Sequence, residues 1–430
     1  SAFDVDFCVK NRLNSNISHL PKEKGGKMKF FNFHHSFNEL VPVEKYFDSH
    51  PEYFSERDGV RIRERTQLCL TNDDVFEIAR ETLRKWIREN PDCKVFSIAQ
   101  NDWHQYCTCP KCKALDDAYG TPAASLITFV NRLADDIKDD YPGVLLHTFA
   151  YQYTKKAPIG LKARDNVIVR LCNIECSWDM PMEAQAKIFP DSAAAGFVEN
   201  ISHWGALCNH LYIWDYACNF RNYLLPFPNY HSLPENIRTY HKNHIVGVLQ
   251  QGNFAYGETS GLADLESYLA AKLLWNPYQD ENPIIDAFIR GVYGEESYPF
   301  MRAYVDMLCD ALKGNKLKLY QNSDAGYITD ALVEKAEHLF EKAIAAAGTE
   351  KQRWYLEKEY LSVLFMKASR MPLEEPERNA LIDQLYEGVK RFCITEIRER
   401  TYLEVSFENL RNSRYAEARD NEYSLYYIMR

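Results

Sequence analysis

Residues 211–220 read Leu-Tyr-Ile-Trp-Asp-Tyr-Ala-Cys-Asn-Phe. An apolar run suited to a buried strand gives way to a carboxylate, Asp215, set between Trp214 and Tyr216. Residues 95–102, 167–175 and 245–251 repeat that pattern, each an apolar run that stops abruptly at polar groups. Buried strands with functional tips are what a parallel α/β barrel requires, because its site lies at the C-terminal ends of its strands.

The segments between these runs have helical period. Residues 75–87 place Val75, Phe76, Ile78, Ala79, Leu83, Trp86 and Ile87 on one face, with Asn72 or Asp73 available as a cap. Residues 123–140, 193–208, 233–241 and 262–275 also read as helices. Strands are expected near residues 29, 66, 94, 144, 167, 211 and 245. An alternation of strand and helix with long returns predicts a parallel sheet.

The expected architecture is a (β/α)₈ TIM-like barrel over residues 1–281. Seven strands are visible and a closed barrel needs eight. Residues 2–7 supply part of the first strand, or that strand is missing from this chain. An open doubly wound sheet is the competing architecture. Its dinucleotide-binding version is disfavoured, since no Gly-rich loop follows any strand. From about residue 282 strand signals cease, and residues 331–347, 351–367, 381–391 and 397–414 have helical period. Residues 282–430 therefore read as an α-helical C-terminal domain, with no catalytic motif of its own.

Composition limits the partners. A formal net charge of −10 opposes nucleic acid as the main ligand, because phosphate binding needs a basic surface. No apolar run approaches the roughly 20 residues of a membrane span. The chain opens at Ser1 without an initiator Met or a visible signal peptide and reads as a processed or trimmed form. Many of the 28 Tyr, 23 Phe and 7 Trp fall just after the strands, where rings can hold flat hydroxylated ligands or simply fill a core.

Applying the barrel rule to the strand ends gives the candidate site. The carboxylates are Asp102, Glu175 and Asp215. Around them stand His34, His35, Asn101, Trp103, Tyr151, Asn173, Trp178, Trp214, Tyr216, Gln250, Gln251 and Tyr256 as substrate-binding candidates. Carboxylates converging on a cleft suit glycoside hydrolysis, where one protonated acid serves the leaving oxygen and a second group acts as base, nucleophile or orienting group. Each acid could instead cap a helix or pin a loop, and each histidine could be structural. Glu175 or Asp102 is favoured as proton donor and Asp215 as orienting group. This chemistry calls for no cofactor.

Cys107-Thr108-Cys109-Pro110-Lys111-Cys112, with His104 nearby, could hold a structural zinc ion. A knuckle of this kind ordinarily pairs with further ligands along the chain, and here all four groups lie together. Free or disulfide-bonded cysteines fixing a loop are the preferred reading, and no metal is assigned. Cys172 and Cys176 flank Glu175, but no histidine adjoins either in sequence to activate a thiolate.

Several motifs resemble one family. They are Gln100-Asn101-Asp102 followed by Cys109-Pro110-Lys111-Cys112, His50-Pro51-Glu52-Tyr53-Phe54 with Gln67-Leu68-Cys69-Leu70-Thr71, Trp214-Asp215-Tyr216 followed by Pro226-Phe227-Pro228-Asn229, and Leu273-Leu274-Trp275-Asn276-Pro277. Together they resemble domain of unknown function 4838, common in gut bacteria and partly classed as glycoside hydrolase family 163. The resemblance spans about residues 7–300. It implies a barrel with an upstream α/β domain and a helical tail, in an exported enzyme of the periplasm or cell surface. The implied activity is that of an endo-β-N-acetylglucosaminidase on complex N-glycans, so the expected partner is an oligosaccharide or glycoprotein glycan. The layout is similar, more distantly, to family 67 α-glucuronidases, with Asp102, Glu175 and Asp215 at the positions of that family's acid and two bases. The family 67 acid is a glutamate, so this chain departs from that pattern. Gln250-Gln251 also stands where relatives carry an acid. An α-glucuronidase-like exo-glycosidase and a non-catalytic glycan-binding barrel are the competing readings.

Overall fold

The computed structural model describes residues 5–14, 20–253, 255 and 257–413. Its strands are β1 (Phe30–Phe31), β2 (Glu56–Arg57), β3 (Val60–Arg61), β4 (Val95–Ser97), β5 (Leu145–Ala150), β6 (Val167–Cys172), β7 (His210–Tyr216) and β8 (Gly247–Gln251). Six of them form one parallel sheet in the order β1-β4-β5-β6-β7-β8, and β2 and β3 make a separate antiparallel hairpin.

The sheet is strongly curled. On a flat sheet, strands four places apart lie about 19 Å from each other. Yet the rings of Phe30 on β1 and Tyr212 on β7, four places apart, both lie against the guanidinium of Arg170, at 5.4 and 5.7 Å. Just past β1, the Phe33 ring is 5.5 Å from Trp214 of β7. Arg170 fills the hollow and is 2% exposed, with Phe33 and Trp214 completing its aromatic collar. Burial lowers its pKa to about 10, so it stays charged at neutral pH.

Alternation along the strands separates two faces. Val167, Val169 and Leu171 on β6, with Leu211 and Ile213 on β7, join the main core. On the concave face Phe149 and Cys172 pack with Ala99, and Tyr151 and Trp214 close over them. The helix Asp73–Glu89 starts where Asn72 accepts from the N–H groups of Asp74 and Val75. Its Val75, Ala79, Leu83, Trp86 and Ile87 are buried, and Trp86 meets Phe31 on the convex side of β1. The helices Ala123–Ile137, Ala193–Gly205, Ser232–Lys242 and Ala263–Trp275 follow their strands as the periodicity predicts.

Several expectations are corrected. Among the described residues the curled sheet has six strands rather than eight and is open between β1 and β8. The segment expected as a strand at residues 66–70 makes only isolated bridges, Phe54 to Leu68 and Thr66 to Gln105. It is displaced because β1 pairs directly with β4 and leaves no ladder for a strand between them. Residues 5–7 lie in the helix Val5–Lys10 rather than in a first strand.

From Glu281 onward the described elements are helices: Glu281–Tyr293, Tyr298–Leu312, Asp330–Ala346, Glu350–Arg370, Pro376–Arg391 and Leu403–Asn412. They share one continuous apolar core with the convex side of the sheet. Buried Lys358 bonds Glu258 at 2.8 Å and Asp264 at 2.9 Å, and Glu359 accepts the N–H of Leu262 at 2.8 Å. Residues 397–402, expected to be helical, form bends, a turn and irregular backbone. Ile397 and Glu399 instead bond the loop after β7, through Tyr223 N to Ile397 O and Glu399 N to Phe220 O. No described helix is long and apolar enough to cross a membrane.

Candidate active site at the strand tips

The turn after β4 carries Asp102 and is fixed by one side chain. Gln67 Nε2 donates to the carbonyls of Asn101 (2.7 Å) and Trp103 (2.6 Å), while its Oε1 accepts from Asn101 N–H (2.8 Å). Asn101 adds its own Nδ2–H to the carbonyl of Thr66 at 2.9 Å, and its Oδ1 accepts from Asn38 N–H at 3.2 Å. Both ends of the Asn101 amide are therefore used in building the turn.

Asp102 projects from that turn with its side chain 34% exposed. It accepts from Gln152 Nε2 at 3.1 Å, and His35 Nε2 stands 3.9 Å away. A carbonyl can only accept, so His35 Nδ1 carries a hydrogen toward Gln100 O. Burial lowers the His35 pKa, with Asp102 opposing the shift. The imidazole is thus neutral, and its Nε2 lone pair makes no hydrogen bond to Asp102 at 3.9 Å. Tyr151, whose ring centroid is 6.1 Å from that of His35, has its phenol pushed up by burial and by the charge of Asp102. His34 points to solvent and bonds the carbonyl of His35.

Glu175 follows β6, 45% exposed, and is paired with Lys155 Nζ at 2.5 Å. Cys172 and Cys176 on either side are buried, and burial raises both thiols, Cys176 to about 12. Neither is a thiolate near neutral pH. Trp214 lies on the concave face and donates Nε1–H to Gln251 Oε1 at 2.7 Å. Gln250 donates to the carbonyl of Tyr216. Trp103 lies under the guanidinium of Arg65, 5.1 Å from its ring centroid. Tyr256 lies outside the described residues.

Asp215 is not in this group. β7 runs on to Tyr216, so Asp215 turns to the face opposite Trp214 and is fully enclosed. Its Oδ1 accepts from Asn173 Nδ2 (2.7 Å), Trp178 Nε1 (3.0 Å) and Tyr216 N–H (2.8 Å), and its Oδ2 accepts the hydroxyl of Tyr240 (2.9 Å). Burial pushes its carboxyl up, and the four donors oppose that shift. Asn173, Trp178 and Asp215 therefore meet as expected, but in a closed knot behind the strands. The Tyr216 ring is also buried, edge-on to Trp178 and Phe220.

Glu399 is the carboxylate that sequence reasoning missed. The backbone bond to Phe220 O ties it to the loop after β7. Burial raises its pKa and the charge of Asp102 adds to the rise, while Arg400 opposes it. No local signal marks it, since Glu396-Ile397-Arg398-Glu399-Arg400 reads as a solvated charged run.

The cysteine loop also gains a member. Cys107, Cys109 and Cys112 are buried together with Cys69, and all four sulfurs lie within 4.8 Å of one another. His104, the fourth group in the alternative zinc reading, is exposed and stands outside the cluster.

None of the curated proteins matches the chain. Among solved structures it is similar to a mutant of the O-GlcNAc hydrolase of Thermobaculum terrenum, with TM-score 0.42 and 10% identity over 95% of this chain and 89% of that one. It is also similar to a family 138 glycoside hydrolase described as targeting pectin rhamnogalacturonan II, with TM-score 0.35 and 10% identity, covering 90% of this chain and 57% of that one. The sequence profile of DUF4838, described as a domain of unknown function, matches residues 1–306. That match covers well over half of the 430 residues, and the chain belongs to the DUF4838 family.

Proposed function

We propose that this protein is a glycoside hydrolase of the endo-β-N-acetylglucosaminidase type, acting on complex N-glycans outside the bacterial cytoplasm. The supporting observation is Asp102, a third exposed at a strand tip beside His35, with Glu399 and Arg400 close enough that Asp102 raises the buried Glu399 carboxyl and Arg400 acts on His35. A carboxyl raised by burial, as Glu399 is, suits the proton-donor role. Tyr151 and Trp214 on the concave face suit the apolar face of a sugar ring. The motif resemblance supplies the substrate class.

In this reading protonated Glu399 donates to the departing glycosidic oxygen. Ionised Asp102 accepts the N–H of the 2-acetamido group and directs its carbonyl oxygen at the anomeric carbon. The C1–O bond breaks as the C1–acetamido bond forms. Water then opens the ring intermediate, with Glu399 taking back a proton. Gln152 Nε2–H and the Tyr151 phenol hold Asp102 in place, and Glu175, tied to Lys155, contacts the glycan at the rim. Asp215 supports the fold behind the site.

The test is incubation with a complex N-glycoprotein and mass spectrometry of released glycans. Asp102→Asn and Glu399→Gln should each lower turnover by at least ~10²-fold, the range of acid/base contributions. Glycan binding by calorimetry with no product over long incubation would make the barrel a binding module instead. Two variants at wild-type rates would remove the assignment of these residues.

A further inference from the structure

We propose that Cys69, Cys107, Cys109 and Cys112 hold a structural zinc ion that braces the turn carrying Asp102. The four side chains are buried and form an isolated apolar group apart from the main core. All four sulfurs are within 4.8 Å of one another, with Cys69 Sγ 3.7 Å from Cys109 Sγ and 3.9 Å from Cys112 Sγ. A tetrahedron with zinc–sulfur bonds of about 2.3 Å has edges of about 3.8 Å. The cluster therefore has the size of a four-thiolate zinc site.

The surroundings suit thiolates. Glu56 N–H points at Cys107 Sγ at 3.4 Å, and the Thr71 hydroxyl is 3.2 Å from Cys112 Sγ. Arg61 Nη1 lies 3.8 Å from Cys107 Sγ while also donating to the carbonyl of Phe54. Zinc with four thiolates carries a net charge of −2, which hydrogen-bond donors and a guanidinium offset. Soft sulfur ligands in tetrahedral array select zinc or iron over oxygen-seeking cations.

The site answers a question the fold raises. Residues 66–70 lie beside the strand tips without a strand ladder to hold them. Cys69 is two positions from Gln67, the side chain that fixes Asn101 and Trp103 around Asp102. The other three ligands lie four to nine residues after Trp103, and Cys109 precedes the helix Pro110–Tyr119. One ion would join the two segments on either side of Asp102, 40 residues apart at Cys69 and Cys109. The consequence for Asp102 rests on the function proposed above, whereas metal binding does not.

The experiment is elemental analysis of the full purified chain after exhaustive dialysis, with X-ray absorption at the zinc edge. About one zinc per chain with four sulfur neighbours at about 2.3 Å is expected. Cys69→Ser should drop zinc below half an equivalent, and His104→Ala should leave it at one. Chelation should release the ion and speed proteolysis within residues 50–71 and 103–112, a readout independent of activity. Full zinc with no glycosidase activity would keep this site and remove the functional reading. Iron in place of zinc, wild-type zinc below about half an equivalent, or two disulfides in mass spectra of the native chain would each overturn the proposal. So would zinc loss on His104→Ala with retention on Cys69→Ser.

Discussion

The hydroxyl of Tyr240, on the helix Ser232–Lys242, donates to Asp215 Oδ2 at 2.9 Å and completes a set of four donors around a fully enclosed carboxylate. A carboxylate spent in this way holds a strand to its following helix. Nothing in it is left for a substrate.

Variants at Asp215 separate a structural role from a chemical one. Asp215→Ala strands four buried donors and should lower stability by about 3 kcal/mol or more in urea unfolding. Asp215→Asn keeps the Oδ1 acceptor and presents an N–H to Tyr240, whose hydroxyl can rotate to accept. It should cost under about 1.5 kcal/mol and retain most of any glycosidase rate. A well-folded Asp215→Asn protein without activity would return Asp215 to the catalytic set.

The pH profile probes Glu399. Its carboxyl is raised chiefly by burial, and Arg400 opposes the rise. A general acid must be protonated, so the basic limb of the rate profile follows its pKa. Arg400→Gln removes the opposing charge and should move that limb to higher pH. A limb that stays in place, or moves down, would exclude Glu399 as the donor.

Glu359 gives a stability signature independent of catalysis. Burial raises its carboxyl from 4.5 to about 7, with Lys358 opposing and Asp264 and Glu258 adding to the rise. The folded state binds this proton more tightly than the unfolded state, so stability is lost as pH rises from about 4.5 to about 7. Lys358, raised in the folded state, contributes constantly across that window, because its loss begins only above its ordinary value of 10.5. Glu359→Gln should flatten the wild-type fall, which is on the order of 3 kcal/mol. Denaturation midpoints at several pH values provide the check.

Packing on the concave face gives a further test. A Cβ on Gly247 would meet the Tyr212 ring at 2.5–2.7 Å. The two residues are cross-strand partners on β7 and β8, so neither can step aside without disturbing the ladder. Gly247→Ala should cost about 1–3 kcal/mol by overpacking. In a Tyr212→Leu background the added cost should shrink. Equal costs in both backgrounds would show that the ring is not the obstacle.

Local signals were sufficient for much of the architecture. The helical face from Val75 to Ile87 and the Asn72 cap were legible because periodicity and capping act within a few residues. Apolar runs marked β4, β5, β6 and β7, and the barrel rule located Asp102 at a strand tip. Residues 66–70 misled, because their composition suits a strand while the direct pairing of β1 with β4 leaves it no place.

By itself, then, the sequence determined the strand–helix alternation, the parallel sheet and the chemical groups available at its ends. Tertiary structure decided which of those groups share a surface. One further residue of β7 turned Asp215 to the rear face, since strand side chains alternate. Cys69 joined the cysteine loop from 40 residues away, and backbone bonds at Ile397 and Glu399 tied a segment of the helical half to the loop after β7. Such contacts depend on how a curled sheet and its helices close on each other, and no local preference of the chain encodes that closure.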